Sequence, residues 1–409
     1  MTFKYAPRFA LALLMALPLG LASAQDAAAP AAPAFAPGDA SPSDLLMKSL
    51  LLGVARAGNR IVAVGEFGHV ALSDDEGKTW RQAKRVPVET TLTSVTFLDA
   101  NTGWAAGHDK TILMTADGGE TWTVQYSREI SAKAGISLEP RRRPDAPAAT
   151  PAPEPAAPAD GAAPAEAAPP AEGGLPVIDE SAVDDGISTD DDGFVESDTT
   201  GSDVEADIPF LGLVFTSPTH GFAVGGFNYA VETNDAGKTW TPRRLVVTAS
   251  DDFHLSGAFT GPAGEIFLPS EKGQVYRSLD NGTTWDIVRV GYEGSFWGGL
   301  GLKDGSVLAI GMRGNVWRST DRGETWTDLA KDLTPESVAA GTQLADGTIV
   351  LVGIAGLVMT SKDNGASWDL SLSQADRKGL AAVTPGHDNM LLLFGEAGFR
   401  EQALTKPQG

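Results

Sequence analysis

Short apolar runs, too brief for helices and separated by glycine-rich turns, recur along most of this chain. Residues 61–64 and 69–72 flank GEFG at 65–68, and residues 306–310 and 315–318 flank GMRG at 311–314. Runs of this length, rich in β-branched residues and bounded by turn signals, predict β-strands. After the second run of each pair comes an octapeptide. It reads SDDEGKTW at 73–80, TADGGETW at 115–122, TNDAGKTW at 233–240, SLDNGTTW at 278–285, STDRGETW at 319–326 and SKDNGASW at 361–368. The tryptophans, Trp80, Trp122, Trp240, Trp285, Trp326 and Trp368, lie 42, 118, 45, 41 and 42 positions apart. Removing an insert of about 76 residues between Trp122 and Trp240 restores the long gap to 42. A period in this range signals a solenoid or a propeller.

The motif decides between them. An Asp two residues before a Gly (Asp75, Asp117, Asp235, Asp280, Asp321 and Asp363) caps a tight turn with its carboxylate, and the Gly takes positive φ. The Thr or Ser and the Trp then open the next strand, and the Trp packs between neighbouring sheets. Four short strands per repeat make a propeller blade. Six repeats carry the motif. A seventh starts at Leu380 and turns at residues 395–398, but reaches no octapeptide. The expected fold is therefore all-β, a seven-bladed β-propeller of four-stranded blades. Residues 43–131 form blades 1 and 2, and 208–404 form blades 3 to 7. The stretch at 43–47 is expected to donate the missing outer strand of blade 7 and so close the ring.

Composition adds the rest of the organisation. Lys4 and Arg8, the apolar run at 9–21 and the small residues at 22–24 read as an export signal over 1–24. The run is short for a bilayer span of about 20 residues. Residues 25–42 are a flexible leader. Residues 132–207 read as a disordered, Ala/Pro-rich acidic insert. Of the net charge of −22, −17 lies within 144–207 and −5 on the rest of the chain, and the acidic balance argues against nucleic acid as a partner. There is no cysteine, hence no disulfide, thiolate site or lipidated N-terminal cysteine. The expected location is the periplasm, or secretion, with no membrane insertion after signal cleavage.

The octapeptides are those of the Asp-box, or bacterial neuraminidase repeat, superfamily. Together with TGWAAGHD at 102–109, HGFAVG at 220–225, GYEGSFWG at 291–298 and GMRGN at 311–315, they make the chain resemble the photosystem II stability/assembly-factor family and its non-photosynthetic bacterial relatives. The resemblance implies a non-catalytic propeller that helps assemble or stabilise a membrane protein complex. In heterotrophic bacteria it implies an accessory subunit of a transporter of the resistance-nodulation-division (RND, MMPL) class. The acidic insert departs from the photosynthetic branch and puts a photosystem partner in doubt.

Enzyme readings are weak by comparison. Sialidases carry Asp-boxes remote from their active sites, so the boxes say nothing about chemistry. The sialidase-type start of the first blade is missing at 57–62, and only five tyrosines exist. A glycosidase that needs two facing carboxylates remains the alternative, with Glu66, Asp109, Glu293 and Glu396 in loops; a carbohydrate-binding propeller is its non-catalytic form. No nucleophile elbow, phosphate-cradling loop or short-spaced metal ligand set appears among the five histidines at 69, 108, 220, 254 and 387. A calcium loop centred on Gly193 would place Ser188 and Thr199 where Asp and Glu are wanted. No cofactor or metal is expected.

If each blade runs from the axis outward, the inter-blade links share a face with the turns joining second to third strands. The Asp-boxes lie on the other side. Aromatic and Arg side chains on one surface are the usual anchors of an interface. Phe67, Tyr292, Glu293, Phe296, Trp297 and Arg313 are the expected partner-binding residues at that mouth.

Overall fold

The computed structural model describes residues 38–133, 208–246, 253–373 and 376–404. The expected export signal, most of the expected leader, and most of the acidic insert with its Gly193 loop lie outside the described residues. Seven antiparallel sheets follow one another in chain order. Blade 1 sets the pattern with Leu51–Ala57, Arg60–Gly65, Val70–Ser73 and Arg81–Gln82, the first strand innermost. The other innermost strands are Leu92–Phe97, Phe210–Phe215, Phe259–Thr260, Phe296–Gly301, Val338–Gln343 and Leu380–Pro385. Each packs beside the next, and Leu380–Pro385 meets Leu51–Ala57, so the ring closes. This is the seven-bladed all-β propeller that the repeats predict.

The innermost strands show how the ring fits. Leu51, Leu92, Phe210, Leu255, Phe296 and Val338 are all fully buried. One or two residues on, the backbones of neighbouring blades touch. A Cβ on Gly212 would sit 2.4 Å from the carbonyl carbon of Gly257. Small residues there set the spacing of the blades.

The Asp-boxes are local turns that reach outward to the previous blade. In the first, Asp75 Oδ1 accepts the Thr79 N–H at 2.9 Å and Oδ2 accepts the Thr79 hydroxyl at 2.6 Å. The Ser73 hydroxyl accepts the Gly77 N–H at 2.8 Å. Trp80 Nε1 donates to the Gly77 carbonyl at 2.9 Å. Gly77 has φ +95°, as its lack of Cβ allows, and Glu76 before it also lies in the left-handed region at 60°. The tryptophan then enters the seam with the preceding blade. Trp122 of blade 2 joins Val62, Val64 and Leu72 of blade 1, and Trp285 of blade 4 joins Phe222 of blade 3. Charges reinforce two of these seams. Glu120 of the second box pairs with Arg60 and Arg81, and Glu324 of the fifth pairs with Arg277.

The hydroxyl of Thr79 holds the Asp75 carboxyl down to about 2; that of Thr325 does the same for Asp321, and that of Ser367 for Asp363, both also to about 2. Asp235 and Asp280 are lowered for the same reason, by Thr239 and Thr284. A carboxylate whose folded pKa lies below its unfolded value of about 3.9 contributes stability above that value and loses it as pH falls through the folded pKa. Melting temperature is therefore expected to be flat from about pH 7 to 5 and to fall between about pH 4 and 2. Asp321→Asn and Asp363→Asn should be less stable at pH 7 and show a shallower acid fall; thermal melts across pH read this. A variant with the wild-type acid slope would remove the boxes as its source.

Blade 7 differs from expectation. Among the described residues it holds three strands, Leu380–Pro385, Met390–Gly395 and Gly398–Ala403. The stretch expected to supply its fourth strand forms instead a single 3₁₀ turn, Leu46–Lys48. The reason lies in its tethers. The Ser43 N–H donates to Gln82 Oε1 of blade 1, and the Ser49 hydroxyl contacts the carbonyls of Leu45 and Leu46 and the His69 ring. Local bonds thus turn the segment before it can run along blade 7. It meets that blade near Gly398, where Leu46 and Met47 pack with Phe394, Phe399 and Trp80. Among the described residues, this segment closes the ring by packing on blade 7 rather than by a shared sheet.

Candidate partner-binding face

The turns between second and third strands are built alike. Each of five second strands ends in a glycine, Gly65, Gly107, Gly225, Gly311 or Gly353, on which a Cβ would strike the carbonyl just before the innermost strand. For Gly225 that oxygen, of Pro209, lies at 1.9 Å. The turn is thereby pressed onto the inter-blade link, and both lie on one face, as the repeat order predicts. Cross-bonds confirm the arrangement: Asn228 N–H donates to the Phe253 carbonyl at 2.8 Å, and Arg313 N–H to Ser337 Oγ at 3.1 Å.

The residue two positions after that glycine takes φ near +55°. Phe67, Phe227, Arg313 and Ala355 occupy the slot with φ of 55°, 55°, 55° and 58°. A bulky side chain there costs on the order of 1–2 kcal/mol relative to glycine. In return, it points to solvent. Phe67 is 61% exposed and Phe227 46%. Phe67 sets its edge to His69. Phe227 meets His254 edge-on at 4.8 Å and donates its N–H to His254 Nδ1 at 2.9 Å. The ammonium of Lys272 lies 4.9 Å over the Phe253 ring beside them.

Two of the expected residues, Tyr292 and Arg313, line one cleft of about 680 Å³ together with Lys331, Asp332 and Thr334. The Tyr292 hydroxyl donates to the Met312 carbonyl at 3.0 Å, and burial raises its pKa against the opposing charge of Arg313. Glu293 is exposed beside it. Phe67 stands on the same face but on blade 1. Phe296, expected at the mouth, is instead fully buried between blades 4 and 5 with Val275 and Val307. Trp297, next to it on the innermost strand, is half-buried. Phe227, Phe253 and His254 fall in the turns and links that strand order puts on this face, but they and Lys272 are outside the expected partner-binding set. The signal for Phe227 was there: it follows Gly225 as Phe67 follows Gly65.

Catalytic arrangements are less well formed. Glu66 Oε1 accepts the Leu50 N–H at 2.8 Å and Asp109 accepts the Thr90 hydroxyl at 3.0 Å. The cleft that Asp109 lines holds none of Glu66, Glu293 or Glu396. Ser49 Oγ lies 3.0 Å from His69 Nδ1, but both residues are buried, burial holds the imidazole below its ordinary pKa, and the pair anchors the N-terminal segment. Among the described residues no three metal-ligating side chains come together, and no helix is long and apolar enough to cross a membrane.

These features define the class: a closed Asp-box propeller with one face of exposed aromatic and basic turn residues. More closely, the chain is a Ycf48-like BNR-repeat propeller. It matches the family model described as photosynthesis system II assembly factor YCF48 over residues 76–138 and 196–334. The photosystem II assembly lipoprotein Ycf48 of Synechococcus sp. (strain CC9902) is 34% identical over 84 residues, 20% of this chain and 25% of that protein. The alignment thus spans a quarter of that relative's length. Solved structures share the fold. YCF48 bound to D1 peptide superposes with a TM-score of 0.56 at 16% identity, over 88% of this chain and 95% of that one. YCF48 from Cyanidioschyzon merolae gives 0.53 at 13%, over 88% and 97%. A streptogramin B lyase gives 0.57 at 10%, over 88% and 95%. The same fold therefore hosts an enzyme as well as assembly factors, and function must be argued from the face.

Proposed function

We propose that this protein is an exported, non-catalytic assembly or accessory factor that binds an integral membrane protein complex through the face of inter-blade links and second-to-third-strand turns. The observation that carries the reading is the placement of Phe67 and Phe227. Exposed phenylalanines in left-handed turns favour neither folding nor solubility, and a face that keeps them has a use for them. Similarity to the Ycf48 assembly-factor family model supports an assembly role, and one solved structure of the same fold is described as YCF48 bound to D1 peptide. For this chain the partner class is a transporter of the resistance-nodulation-division type, a step that rests on the resemblance. Export rests on Lys4, Arg8 and the apolar run after them.

The test is a pull-down from solubilised membranes of the source cell. The tagged, signal-processed chain is compared with a Phe67→Ala/Phe227→Ala variant of equal melting temperature. The expected result is one membrane protein complex enriched by the wild type and lost from the variant. A transporter of the stated class identifies the partner; another membrane complex keeps the role and replaces the partner. Equal capture by both proteins, or none by either, overturns the reading.

A further inference from the structure

We propose that the seam between blades 6 and 7 is an acceptor groove for an extended peptide segment of a partner protein, which adds an outermost strand to blade 7 and seats a large aromatic side chain against blade 6. The chain itself shows what such a surface takes. In six blades the Asp-box and the strand after it cover the preceding blade: Gly119 and Trp122 lie over Val62 and Leu72, and Gly282 and Trp285 over Phe222. Register transfers the place. Val350 pairs with Thr360 in blade 6 as Val62 pairs with Leu72 in blade 1. Leu391 pairs with Gln402 in blade 7 as Ile61 pairs with Ser73.

At this seventh seam lies a groove of about 510 Å³, lined by Val358, Thr360 and Ser371 of blade 6 and Leu391, Gln402 and Leu404 of blade 7. Gln402 stands where the other blades place the Ser or Thr that opens the box. Those hydroxyls accept a backbone N–H from the box glycine, at 2.8 Å in the first and 2.9 Å in the second. Gln402 donates its amide to Ser371 Oγ at 3.2 Å, while its buried carbonyl oxygen has no hydrogen-bond partner among the described residues. An unmet buried acceptor is costly, and a backbone N–H is what its position calls for.

The strand edge agrees. Gly398–Ala403 pairs with Met390–Gly395 on one side. On the other, the Leu46–Lys48 turn meets its first residues, Gly398 and Phe399. Where Leu72 of blade 1 pairs with Arg81 on its outer side, Glu401, which pairs with Leu392, has no outer strand partner among the described residues. An open edge beside a side-chain pocket is the arrangement used in strand addition, where main-chain bonds bind and the pocket selects. The site lies away from the proposed partner face, so neither reading depends on the other.

The probe is a fluorescein-labelled peptide of residues 319–330, the fifth box with its outer strand, titrated by anisotropy against the full signal-processed chain. Saturable binding in roughly the micromolar range is expected, weakened at least about tenfold by Trp326→Ala in the peptide. In the protein, Thr360→Trp fills the groove and should abolish binding. Gln402→Ala, the milder change should the first fail to fold, should weaken it about fivefold. The Phe67→Ala/Phe227→Ala protein should bind the peptide as wild type does, which separates this proposal from the proposed function. No saturation, or undiminished binding to both groove variants, overturns it. So does binding that appears only when residues 405–409 are deleted, since the chain's own end would then be the occupant.

Discussion

Trp122→Ala is expected to destabilise the propeller by about 3–5 kcal/mol, near the upper end for single core truncations. Trp122 is 1% exposed and lies in the seam between blades 1 and 2, edge-on to Phe97. Its indole N–H donates to the Gly119 carbonyl at 2.9 Å. Truncation removes the apolar contact, leaves a cavity that two rigid sheets cannot close, and deprives that carbonyl of its donor. Trp368 supplies the comparison. It has the same place in its box but is only partly buried, and its indole nitrogen has no hydrogen-bond partner among the described residues. Trp368→Ala should cost about 1–2 kcal/mol less than Trp122→Ala, since it forfeits less burial and no hydrogen bond. Denaturant titrations of the two variants decide it. Equal losses would mean that the tryptophans act through the turn itself and not through the seam.

The contrast shows what the sequence can and cannot disclose. An Asp-box is a local object: Asp75, Gly77 and Thr79 find one another within four residues, so its chemistry can be read from spacing alone. The blades follow from repetition of that object. The closure of the ring is not local. Whether residues 43–47 become a strand of blade 7 depends on competing bonds from Gln82, some 39 positions away, and from His69. Nothing in the segment's own pattern states their strength. Phe296 was misplaced for a related reason. The register of its strand shifts between Phe296 and Gly298, so the alternation of faces that places Phe296 and Trp297 is broken where it is needed. Five of the other innermost strands carry the same irregularity, which makes it a property of the fold and invisible to a period-2 reading. Phe227, by contrast, was legible: aligning the turns after Gly65 and Gly225 puts it in the slot of Phe67.

That shared slot leads to the second large effect. Phe67→Gly is expected to weaken capture of the membrane partner by about 2 kcal/mol, roughly 30-fold, while raising the stability of the free protein by about 0.5–1 kcal/mol. The two effects have opposite signs because they have different sources. At φ 55° the phenylalanine pays a backbone penalty that glycine avoids, and at 61% exposure it recovers little of it from burial within the chain. Only a bound partner can desolvate the ring and make the residue worth keeping, the usual form of a conflict between stability and function. Phe67→Ala separates the terms: it loses the ring, keeps most of the backbone strain, and should lose binding with little change in melting temperature. If Phe67 served the fold, glycine and alanine would both lower stability. If the strain belonged to the turn alone, glycine would raise stability and leave capture untouched. Thermal melts and quantitative pull-downs on the same three proteins distinguish these outcomes, and only a gain in stability joined to a loss of capture supports a binding face built on strained aromatic turns.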